Sequence, residues 1–103
     1  MIQAILLTFL AGLMGTNGIP HFVLGITGRE FPNVTGNSAV NNALGGLAAF
    51  LIAGVLLAVA RLGDHPWPAL IAGAVGVVAM TIFHARRGAY WLSARLGKAV
   101  PQV

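Results

Sequence analysis

The sequence predicts an all-α integral membrane protein, a single domain over residues 1–103 with three transmembrane helices and a short C-terminal stretch able to lie in the headgroup plane. Three observations predict it. Hydrophobic residues make up 57% of the 103 and charged residues only 8%, where soluble domains carry about 25% charged residues. Mean hydropathy is +0.85. The apolar residues fall into three stretches, each close to the roughly 20 residues that cross about 30 Å of hydrocarbon as a helix. The six Lys and Arg residues stand at the edges of those stretches. They read as membrane flanks and not as a nucleic-acid-binding face, although the pI is ≈ 11.4.

The first span covers residues 2–26. No Lys or Arg precedes Arg29, so the basic start of a secretory signal peptide is missing and a retained helix is expected. It ends at "GREFPNVTGNS", whose Pro, Gly, Asn and charges mark a loop. The second span covers residues 39–60, with Asn37 or Ser38 as its N-cap. After "RLGDHPWP" the third covers residues 67–87, with Pro66 or Pro68 in its first turn. Short linkers make consecutive helices antiparallel neighbours.

Trp67 is expected at one membrane interface and Tyr90 with Trp91 at the other, about 35 Å away on a continuous helix. The segment from Ala89 to Val100 is too short and too basic for a fourth span. It reads equally as an interfacial helix beside anionic lipid headgroups or as a frayed extension of the third span.

Arg29, Arg86, Arg87, Arg95 and Lys98 fall on one side and Arg61 on the other. The positive-inside rule then puts the C-terminus in the cytoplasm and the N-terminus outside. Helix association in lipid rests on close packing and interhelical hydrogen bonds. Gly45, Ala49 and Ala53 in the second span, and Ala69, Ala72, Gly73 and Gly76 in the third, are spaced to form small-residue stripes facing each other or a second copy.

The stretch "TNGIPH", Thr16 to His21, interrupts this apolar pattern. Pro20 frees the Thr16 carbonyl, and Gly18 loosens the same turn, so a kink is expected. Asn17 and His21, one helical turn apart, share a face. Antiparallel threading brings Asn41 and Asn42 of the second span and Thr81 and His84 of the third to the same depth. These six residues form the candidate ligand-binding cluster, since polar side chains at membrane depth face the bundle interior. The competing reading ends the first helix near Gly18 and leaves His21 among headgroups.

The segment "GIPHFVLGITGREF", with an Asn-rich helix start, a Gly/Ala-rich span and a basic C-terminal end after it, resembles a group of small bacterial inner-membrane proteins. They share a Gly-Ile-Pro-His-Phe-like segment at the end of the first helix. The residues carrying the resemblance are Pro20, His21, Phe22, Gly25, Gly28 and Phe31. It implies a bacterial inner-membrane location and no particular substrate. Small multidrug transporters have similar length but rely on an acidic residue in the first of four helices, and here no Asp or Glu precedes Glu30.

Three functional readings stay open. The first is a non-enzymatic membrane bundle, a homo-oligomer or an accessory subunit of a larger complex, with the polar cluster holding helices together. The second is a haem or quinone site built on His21 and His84. The third is a small-solute transporter or channel using a helix break at Pro20. No catalytic residues and no metal site are predicted. The chain has no cysteine, and its only carboxylates, Glu30 and Asp64, lie on opposite sides of the expected membrane.

Overall fold

The computed structural model describes residues 1–101. Its elements are α1 (Ile2–Ile26), α2 (Ala39–Val59), one 3-10 turn (Leu62–Asp64), α3 (Pro66–Ala85) and α4 (Gly88–Arg95). The first three helices are each long and apolar enough to cross a membrane, the architecture of a multi-pass membrane protein. Large side chains such as Leu51, Val55, Leu70 and Ile71 point outward. The buried residues of the spans are instead small: Ala4, Ala11 and Gly18 in α1, Gly46, Ala49 and Ala53 in α2, and Ala69, Ala72 and Gly76 in α3. A soluble bundle buries its leucines; this one turns them out and packs backbone against backbone.

Helix α1 is the central element. It packs against α2 on one side and α3 on the other, while α2 and α3 touch only marginally. The small-residue stripes therefore face α1 and not each other, a correction to the expected pairing. Gly46 lies where a Cβ would stand 2.8 Å from the Gly18 carbonyl oxygen, and Gly76 where a Cβ would run into the Phe9 carbonyl. Gly45 is exposed and contributes to neither contact. Of the expected stripe in α2, Ala49 and Ala53 are buried as expected and only Gly45 is misplaced; its neighbour Gly46 makes the close approach to α1.

Helix α1 runs unbroken through Pro20 to Ile26, so the reading in which it ends near Gly18 is overturned. It stops at Gly28, which takes the left-handed conformation at φ 77°. There the Gly28 amide donates to the Gly25 carbonyl and the Arg29 amide to that of Leu24, a Schellman termination that suits a residue without a Cβ. Ser38 caps α2, its hydroxyl accepting from the Asn41 amide at 3.1 Å, and Pro66 opens α3.

The third span ends at Ala85, short of residue 87. Arg87, in the left-handed region at φ 59°, separates α3 from α4. Trp67 and Tyr90 are thus not on one continuous helix, and α4 is a helix in its own right and not a frayed end of α3. Gly88 permits the sharp turn, since a Cβ there would strike the Phe83 ring.

Candidate functional site

At the end of the bundle where α1 and α3 finish and α2 begins, the α1–α2 loop folds inward and α4 folds against it. Phe31 and Pro32 of the loop are buried. The Phe31 amide donates to the Asn37 carbonyl at 3.2 Å, and the Asn33 side-chain oxygen accepts from both the amide and the hydroxyl of Thr35. The loop is thus closed by its own Asx turn. The Asn37 amide group donates to the Ala99 carbonyl at 2.7 Å, tying the C-terminal segment to the loop. Phe31 packs edge-on against Tyr90 of α4 at 5.7 Å between ring centres, and the Arg87 guanidinium lies 3.9 Å over the Tyr90 ring.

Beneath this cap sit the polar residues that the sequence pointed to. Asn42 is fully buried. Its amide nitrogen donates to the carbonyls of Phe31 at 2.8 Å, Ser38 at 3.0 Å and Asn37 at 3.1 Å. These bonds turn its oxygen toward α1, where it accepts a hydrogen bond from His21 Nδ1. His21 is itself buried, one turn below Gly25. His84 Nε2 donates to the Asn17 oxygen at 2.8 Å, linking α3 to α1. The two imidazoles meet edge-on, with ring centres 5.8 Å apart and planes at 80°. Phe31 packs on His21 at 5.0 Å.

Of the six candidate residues, Asn17, His21, Asn42 and His84 come together. Asn41 does not: its amide is spent on the Thr35 hydroxyl and the Gly36 carbonyl outside the cluster. Thr81 does not either, because its hydroxyl donates back to the Val77 carbonyl at 2.7 Å on an exposed face. Adjacent helix positions point about 100° apart, so Asn41 and Asn42 could not both face inward. Sequence reasoning missed Asn33, whose amide nitrogen stands 3.5 Å from the Asn42 oxygen, and Ser93 of α4, which is almost fully buried. The signal for Asn33 was its place after Phe-Pro in a turn-forming loop; Ser93 had none, since only the fold of α4 brings it in.

Asn17, His21, Asn33, Phe83, His84 and Leu92 line a recess of about 120 Å³. Pockets for ligands of drug size run to roughly 300 Å³ and more, so this recess is too small for a porphyrin. The transport reading fares no better, because α1 is continuous where a discontinuous helix would form the site. Among the described residues no three His, Asp or Glu side chains gather as a metal site would require. Comparison with family models, with curated proteins and with solved structures returned no match.

Proposed function

We propose that this chain is a non-enzymatic protein of the bacterial inner membrane that works by assembly, docking its open side onto further transmembrane helices, either in a homo-oligomer or as an accessory subunit of a larger complex. The observation that carries this reading is the open side of the bundle. Because α2 and α3 diverge on either side of α1, they leave a groove with Gly12 and Gly15 on its floor and Ala53, Leu57, Gly73 and Val77 on its walls. It continues past Thr8 toward Leu62 and Pro66. The Thr8 hydroxyl is buried there without a hydrogen-bond partner.

Small residues that let backbones approach are what interhelical contact in lipid requires. The polar cluster then acts as a lock that holds α1 to α2 and α3 at one end, and the groove receives the additional helix. The basic residues around α4 favour a cytoplasmic C-terminus and contact with anionic headgroups.

The test is the mass of the assembly purified in mild detergent, compared with that of Gly15→Leu. Gly15 faces Ala53 with room for an ordinary methyl contact, so a leucine there obstructs the groove more than it disturbs the monomer. Loss of the larger species in Gly15→Leu supports the reading. A parent protein that runs as a monomer, with no partner band, defeats it.

A further inference from the structure

The two ends of the bundle differ in charge. Where α2 passes into α3, Arg61 lies 3.2 Å from Asp64, the single ion pair among the described residues. At the opposite end Arg29, Arg86, Arg87, Arg95 and Lys98 are all exposed, and the only acidic side chain there is Glu30. Charge alone would suit any anion.

Helix α4 narrows the choice, because it turns Gly88, Ala89 and Ser93 inward and leaves Trp91 and Leu96 exposed, at 60% and 55%, among the basic residues. Trp91 and Arg95 stand one turn apart on the outward face, with the guanidinium 6.0 Å from the indole ring. Position agrees with this composition. The 20 residues of α3 match the hydrocarbon thickness at about 1.5 Å per residue, so α4, which starts at Gly88 just after α3 ends at Ala85, begins among the headgroups. An indole beside unpaired cations suits that layer, where the ring sits at the boundary and basic side chains reach phosphates. Arg87 adds a second sign. It holds a left-handed backbone at φ 59° that glycine or asparagine would take at less cost, while its guanidinium stacks on the Tyr90 ring. Stacking leaves the N–H edge free to meet a phosphate in two parallel bonds.

We infer that the outer face of α4, Trp91 and Arg95 with Arg86, Arg87 and Lys98 at its ends, is a binding site for anionic phospholipid, with the guanidiniums on the phosphates and the indole at the acyl-chain boundary. The inference rests on the proposed membrane setting and adds a lipid to the helix that the groove receives. Oligomer mass reports on the groove and lipid preference on α4, so each can fail without the other.

The chain has two tryptophans, one near each end, and each reports on its own surroundings. Trp67→Phe leaves Trp91, and Trp91→Phe leaves Trp67; both indoles are exposed, so neither change disturbs packing. Each variant is reconstituted in vesicles of phosphatidylcholine and phosphatidylglycerol in equal amounts, with bromine placed high in the acyl chains of one lipid or of the other. Trp91 should be quenched at least twofold more strongly by the brominated phosphatidylglycerol, and the excess should shrink in high salt and on adding Arg95→Gln with Lys98→Gln. Trp67 should be quenched alike by both. Equal quenching of Trp91 by the two lipids, or an excess unchanged by the two glutamines, overturns the site. So does a Trp91 that neither lipid quenches while Trp67 is quenched, the result expected if protein or bulk water meets that face. If neither tryptophan is quenched, the membrane setting itself fails.

Discussion

His21 and Asn42 are joined by a hydrogen bond between α1 and α2, and Asn42 in turn holds the loop and the start of its own helix through the carbonyls of Phe31, Asn37 and Ser38. One amide thus connects two helices and the cap over them. In a bundle whose interior is mostly alanine and glycine, this is where side-chain polarity sets the register of α1 against α2.

Replacing Asn42 by Leu removes the acceptor of His21 and the donor for three carbonyls. Leaving buried polar groups unpaired costs about 1 to 3 kcal/mol. Unfolding in mixed micelles should show a loss in that range, whereas Asn41→Ala, which gives up hydrogen bonds that water can replace outside the cluster, should cost clearly less. Equal losses for the two would mean that Asn42 is not the buried member of the pair.

His21→Leu and Asn42→Leu act on one bond, so they should not add. Residues in direct contact show coupling of about 0.5 to 3 kcal/mol. The double variant is expected to lose less stability than the sum of the two singles. Simple additivity would separate the two residues and remove the link between α1 and α2.

Glycine substitutions test which faces carry the contacts. Gly46→Ala puts a methyl against the backbone of Phe22 and Gly18, while a Cβ on Gly54 has nothing within 4 Å. Thermal aggregation in detergent should therefore worsen for Gly46→Ala and be unchanged or slightly improved for Gly54→Ala, since alanine is the better helix former. The reverse order would place the α1 contact on the other face of α2.

On α3 the matching pair is Gly76 and Leu70. A side chain at Gly76 collides with the Phe9 carbonyl of α1, and Leu70 is 60% exposed. Gly76→Leu should separate α1 from α3 and lower thermal resistance sharply, and Leu70→Ala should change it little. Similar behaviour of the two would show that α3 turns another face to α1.

The absence of cysteine makes orientation directly measurable. In intact cells, a membrane-impermeant maleimide should label Asp64→Cys and leave Lys98→Cys unmodified until the cells are opened. Labelling of Lys98→Cys alone would reverse the proposed topology.

The class of fold was legible in the sequence. Lipid imposes a simple rule, about 20 apolar residues for each crossing, and composition with loop punctuation was enough to delimit α1, α2 and most of α3. His21 was also legible, because an imidazole at that depth needs a partner and Pro20 did not end the helix. What tertiary structure decided was which helix lies in the middle and which neighbouring residue faces it. Gly45 and Gly46, like Asn41 and Asn42, are alike in composition and adjacent in sequence. One residue of rotation about α2 puts the first of each pair outside and the second against α1 or under the loop. In a chain with 14 glycines small-residue spacing is too common to choose between such faces. The break at Arg87 was equally hidden, since arginine is not a residue that favours a positive φ. It is the fold of α4 under the Phe31 loop, with Ser93 buried and Tyr90 against Phe31, that closes the recess over His21 and His84.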